Sequence, residues 1–199
     1  MMGDELTLLV VDDDRDCREL FAFWLRDDHA VRTATDGERA LDELDESVDV
    51  VLLDREMPGP SGREVARRIA DGDHDPYVAM VTSRAPDFDI VETPIDEYVR
   101  KPVERGELAE VVARFRRQET YKTALDELFA LTARLATLET AKSDGQLAAS
   151  EEYARLRNRV AEKRAEVDRA IEEAGSDWAV AFRTCEVAAT QGTRLQLHP

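Results

Sequence analysis

The hydrophobic positions of this 199-residue chain follow two rhythms, and the change falls near residue 119. Before it, short unbroken apolar runs alternate with segments of helical spacing. The runs at 6–11, 50–53 and 77–81 have no polar alternate positions, which marks strands buried on both faces. Residues 30–35 and 96–99 give two shorter strands. Between the runs, apolar residues recur at the three- and four-residue spacing of a one-sided helix. These are Leu20, Phe21, Trp24 and Leu25; then Ala40, Leu41 and Leu44; then Val65, Ala66 and Ile69; then Leu108, Val111, Val112 and Phe115. Asp14 and Ser61 stand where a side-chain oxygen can accept from the free amides of a first turn. The fourth helix is expected to be cut short. Pro86 and Pro94 bracket only residues 87–93, and a residue before proline resists helix.

Five strands alternating with helices predict an α/β fold, a (βα)5 doubly wound parallel sheet over residues 1–118. The flavodoxin-like strand order 2-1-3-4-5 makes strands one and three neighbours at the switch point, outside whose carboxyl ends ligands bind.

Residues 119–199 predict an all-α helical unit. Tyr121, Ala124, Leu128, Leu131, Leu135 and Leu138 form one seam. Tyr153, Leu156, Val160, Val167, Ala170 and Ala174 form a second, with Lys163 interrupting it. The break at 142–145 divides the two helices, Ser150 starts the second and Gly175 ends it. A helical hairpin within one chain is the simplest arrangement. Pairing between chains, giving a homodimer, uses the same seams. Ser176 and Asp177 then cap a short helix through Trp178, Val180, Ala181 and Phe182, and the tail after Thr190 is expected to be loose.

Charge changes the picture. The net charge is −17, and only four of the 27 basic residues are lysines. Residues 1–118 hold 16 Lys and Arg against 30 Asp and Glu, a balance of −14; residues 119–199 hold 11 against 14, a balance of −3. Such a charge opposes DNA binding through phosphate contacts, and no basic recognition helix is visible. It resembles the acidic composition of salt-tolerant halophile proteins. No apolar run reaches the length of a membrane span, and the N-terminal residues lack the basic segment and cleavage site of a signal peptide. Cys17 and Cys185 lie far apart without metal-ligand spacing and read as reduced thiols. A cytoplasmic protein is expected.

The chemistry lies where strands end. The first run stops at Asp12 and Asp13, the third at Asp54, the fourth at Thr82, and the fifth just before Lys101. Neighbouring carboxylates repel unless a cation or proton compensates them, and an all-oxygen donor set suits Mg²⁺. Thr82 offers a hydroxyl and Lys101 an ammonium, both suited to phosphoryl oxygens. Asp54 would then be the nucleophile.

VVDDD at 10–14, LLDREMPGPSG at 52–62, MVTS at 80–83 and YVRKP at 98–102 together resemble the receiver domain of two-component response regulators. The resemblance implies that Asp54 is the phosphoacceptor served by a sensor histidine kinase. It implies that Asp12, Asp13, Asp54 and the backbone carbonyl of Glu56 hold Mg²⁺. It makes Thr82 and Tyr98 the switch residues and Lys101 the partner of the phosphoryl oxygens, followed by a Lys101–Pro102 bond that is often cis. It also places Glu56 and Arg84 at positions that tune hydrolysis of the phosphoryl group. The protein is then a signalling switch and not an enzyme beyond its own phosphorylation and dephosphorylation. The helical half resembles the HalX-type module of haloarchaeal response regulators, which implies output by protein–protein contact. The alternative is a transcriptional regulator whose C-terminal helices contact DNA or the transcription machinery. A Mg²⁺-dependent phosphatase is a third class, and no second catalytic acid at a predictable spacing supports it.

Overall fold

A computed structural model of the chain describes residues 5–173. The short helix expected at 178–182, its cap, Ala174, the Gly175 stop, Cys185 and the tail lie outside the described residues. The chain divides between Phe115 and Arg116 into two compact units.

In the first unit the strands are β1 (Thr7–Val11), β2 (Ala30–Ala34), β3 (Val50–Leu53), β4 (Tyr77–Thr82) and β5 (Glu97–Arg100). All pair in parallel, in the order β2-β1-β3-β4-β5, as the patterning predicts. Helices α1 (Arg15–Leu25), α2 (Gly37–Asp42) and α3 (Gly62–Ala70) connect them. The start of a longer helix, α4 (Arg105–Ala141), follows β5.

Period-two alternation sorts the strand residues between two cores. Leu8, Val10, Val50, Leu52, Ala79 and Val81 face one way and pack with Phe21, Leu25, Leu108, Val111 and Val112. Leu9, Val11, Val51, Leu53 and Val78 face the other way and pack with Ala40, Val65, Ala66 and Ile69. All four residues of β3 are buried, because helices cover both faces of the sheet.

One inward assignment fails. Leu20 is 43 % exposed, because α1 turns Phe21, Ala22 and Leu25 to the sheet and leaves Leu20 beyond that stripe. The caps are as expected. Asp14 accepts from the amides of Asp16 and Cys17, and Ser61 from that of Glu64. The shortened fourth helix is a single 3-10 turn, Phe88–Glu92, capped by Asp87.

The helical unit contains the rest of α4, a short α5 (Asp144–Ala148) and α6 (Glu151–Glu173). Helix α4 has no stop signal in its interior and runs unbroken for 37 residues, through position 118. The two long helices pair within the chain and antiparallel. Tyr121 and Ala124 pack near Val167, Glu127 meets Lys163, and Glu139 meets Tyr153, so each step forward on α4 is a step back on α6. The seam residues of 121–138 are buried or half-buried, as the spacing predicts. Lys163 keeps its place in the seam by bonding Glu127 and Glu166, both at 2.7 Å. The break at 142–145 is partly helical. Ser143 and Gln146 form a capping box that starts α5, a pattern legible in the Ser-x-x-Gln spacing and overlooked.

Candidate functional site

Parallel pairing puts the ends of β1 and β3 level, with Val11 opposite Leu53. The Asp54 amide donates to the Val11 carbonyl at 2.8 Å. Asp12 and Asp54, the next residues on each strand, are therefore carried side by side. Both are buried, while Asp13 is exposed. Carboxylate oxygens of Asp12, Asp13 and Asp54 lie within 4.8 Å of one another.

The next two strands complete the set. Thr82 is the last residue of β4 and is buried. The Lys101 amide donates to the Thr82 carbonyl at 2.8 Å, so β5 delivers Lys101 to the same edge. The Lys101 ammonium lies 2.6 Å from Asp12 Oδ2 and 3.4 Å from Asp54 Oδ1. The Lys101–Pro102 bond is cis.

Two glycines shape the turn behind Asp54. Gly59 has φ +77°, a conformation that favours glycine, and it reverses the chain after Pro58. Gly62 opens α3 directly under the β3 end. A Cβ there would stand 2.1 Å from the Asp54 carbonyl oxygen, so no other residue fits without moving the phosphoacceptor candidate.

The electrostatics follow from burial. Burial raises the Asp54 carboxyl above the ordinary carboxylate range; Lys101 opposes the rise and the Asp12 charge adds to it. Burial also penalises the Lys101 ammonium, but its bond to Asp12 and the charges of Asp12 and Asp54 outweigh that, and its pKa rises. One ammonium against three carboxylates leaves the cluster short of positive charge. An all-oxygen donor set of this kind, partly open to water through Asp13, fits a hard divalent cation.

The remaining predicted residues surround this cluster. Glu56 and Arg84 pair at 2.6 Å and both are exposed. With Asp13, Met57, Arg55 and Arg63 they line an open cleft of 610 Å³. The Tyr98 hydroxyl donates to the Arg84 carbonyl at 3.1 Å, and the Thr82 hydroxyl accepts a long bond, 3.4 Å, from the Arg84 amide. One contact escaped sequence reasoning. Asp89, in the 3-10 turn, accepts from Arg55 at 2.5 Å and from Arg63 at 2.8 Å. It ties the β4–β5 connection to the residue after Asp54. No sequence signal marks it, since the partners are 34 and 26 positions away.

A doubly wound parallel sheet with this acid cluster, hydroxyl and lysine at its switch point defines a receiver domain. The profile of the response regulator receiver domain family matches residues 8–113, and that of the HalX domain matches residues 117–182. The chain belongs to the response regulator receiver family and carries a HalX domain after the receiver. A protein of Haloferax volcanii is 41% identical over 168 residues, which cover 84% of this chain and 29% of the relative. The transcriptional regulatory protein CpxR of Escherichia coli K12 is 39% identical over 113 residues, covering 55% of this chain and 47% of CpxR. The chain thus spans less than half the length of either relative. Among solved structures, Thermotoga maritima TrrA in complex with Mg²⁺-BeF is 36% identical, with a TM-score of 0.51 over 55% of this chain and 98% of TrrA. Among the described residues, no helix is long and apolar enough to cross a membrane.

Proposed function

We propose that the protein is a phosphorylation-driven switch in which Asp54 accepts a phosphoryl group from the phosphohistidine of a sensor histidine kinase. The observation that carries this reading is the single Lys101 ammonium bridging Asp12 and Asp54 across two strand ends. An Asp54 carboxylate oxygen forms the new bond to phosphorus as the P–N bond breaks, and the imidazole leaves with the electron pair.

Asp12, Asp13, Asp54 and the Glu56 backbone carbonyl are the groups that would hold Mg²⁺. When bound, the ion supplies neutralisation of the phosphoryl oxygens. Lys101 is placed to turn from the carboxylates to one of those oxygens. Thr82 gives its hydroxyl to another. That movement pulls on Arg84, whose amide donates to the Thr82 hydroxyl, and through the Arg84 carbonyl on Tyr98. The exposed Glu56–Arg84 pair is a cover over the cleft and tunes how fast water removes the phosphoryl group.

The helical unit passes the signal on by protein contact. Helix α6 carries five Arg and one Lys against seven Asp and Glu, so it has no net positive charge to set against DNA phosphates. CpxR is a transcriptional regulatory protein, and contact of the C-terminal helices with DNA is the alternative reading. A mobility shift in molar KCl that appears only after phosphorylation would favour that reading.

The decisive experiment treats the chain with acetyl phosphate and Mg²⁺ and follows its intact mass. Wild type gains one phosphoryl group and Asp54→Asn gains none; modification that persists in Asp54→Asn overturns the assignment. In the same assay Arg84→Ala loses its phosphoryl group several-fold faster than wild type. An unchanged decay rate would remove the cover.

A further inference from the structure

Arg18 has no part in the chemistry above, yet it is wired into the acidic loop. It stands in the first half of α1 and is half-buried. Its guanidinium donates to the Asp12 carbonyl at 2.6 Å and makes a longer contact, 3.5 Å, with the Asp13 carbonyl. It touches backbone oxygens here, where carboxylates are close at hand.

The consequence is geometric. The peptide unit between Asp13 and Asp14 is held at both ends, its carbonyl by Arg18 and its N–H by Asp12 Oδ1 at 3.0 Å. In the unit between Asp12 and Asp13, Arg18 holds the carbonyl. These two planes set the direction in which the exposed Asp13 side chain leaves the backbone. The Asp12 carboxylate is held by Lys101 on Oδ2 as well as by the Asp14 amide on Oδ1. Arg18 itself is placed by the Asp14 cap, since its amide donates to the Asp14 carbonyl at 3.0 Å. The helix start, the acidic loop and the guanidinium form one closed circuit.

We infer that Arg18 is a positioning residue for the acidic pair, fixing the loop backbone so that Asp13 points with Asp12 and Asp54 toward a divalent cation. This rests on the reading of those three carboxylates as a Mg²⁺ site. Positioning and charge make opposite predictions. As a charge alone, Arg18 repels a cation, so its removal would tighten Mg²⁺ binding. As a brace, its removal lets Asp13 turn away and weakens binding, by about tenfold for groups that orient metal ligands without touching the metal.

The test is calorimetric titration of the full chain with MgCl₂, for wild type, Arg18→Ala and Arg18→Lys. Weakening of about tenfold in Arg18→Ala is expected, with Arg18→Lys between it and wild type, because lysine keeps a donor on a different reach. The deficit persists in molar KCl, where long-range charge effects are screened. A thermal melt of each variant shows that it is folded, and Arg18→Lys carries the test if Arg18→Ala is not. Binding in Arg18→Ala that equals or exceeds wild type overturns the inference while leaving the Mg²⁺ site standing. Absence of Mg²⁺ binding in wild type overturns both.

Discussion

The two units of this chain bury their apolar residues in different ways. In the receiver unit the central strands β1, β3 and β4 are covered on both faces, and side chains such as Leu8, Leu9, Leu52 and Leu53 lose all or nearly all contact with water. In the helical unit Tyr121, Ala124 and Val167 form the buried cluster, and Leu125, Leu128, Ala170 and Ile171 are only partly covered. A sheet buried on both sides can force charges together at its edge, because its packing outweighs their repulsion. A two-helix seam has less to set against such repulsion. The acid cluster accordingly lies at the sheet edge, and in the helical unit the seam charge of Lys163 is paired with Glu127 and Glu166.

The largest expected effect tests this contrast directly. Leu52→Ala destabilises the receiver unit by about 2–5 kcal/mol, the range for a leucine removed from a closed core. Leu128→Ala destabilises the helical unit by about 1 kcal/mol, since only part of that side chain leaves water on folding. Urea denaturation of both variants measures the two losses, and equal losses would break the comparison.

A smaller effect sharpens it. Lys163 is a charge held in an apolar seam, 21 % exposed, and kept there by two carboxylates. Both carboxylates are exposed, so these pairs contribute little, whereas a leucine would add apolar contact to the seam. Lys163→Leu is expected to raise the midpoint of thermal melts. A lowered midpoint would mean that the seam depends on its charge.

The smallest effect concerns acid. The Ser47 hydroxyl, Arg32 and the Ser47 amide hold the Asp45 carboxyl down, from its ordinary 3.8 to about 2. A carboxyl lowered on folding contributes stability above 3.8 that is lost as pH falls through about 2. The urea midpoint of wild type therefore drops more steeply over that interval than the midpoint of Asp45→Asn. Parallel curves would show that this surface pairing contributes nothing.

Much of the site was legible because its residues mark the ends of strands. The switch from apolar run to acid at Asp12 and Asp54 locates both the strand end and the chemistry, and parallel order brings the two together. Thr82 and Lys101 follow from the same rule on β4 and β5. Arg55, Arg63 and Asp89 were not legible, since long side chains from separate loops meet there without periodicity or motif. Leu20 was misread because a helix buries a narrow stripe, and spacing alone does not say which of two adjacent apolar residues lies at its edge. Helix α5 was missed because Asp144 and Gly145 read as a break, although Ser143 and Gln146 carried its start.

The 3-10 turn between Pro86 and Pro94 has a consequence for how this sequence can change. Phe88 is 92 % exposed and Val91 83 %, so neither is constrained by the core. The turn is anchored through Asp89, which two arginines hold. Surface connections of this kind tolerate substitution and insertion far better than the elements they join. With Asp89 and the buried Thr93 kept, the exposed positions of the turn can drift or accept a grafted segment while the sheet and Asp54 stay as they are. This short connection is the natural splice point of the receiver unit.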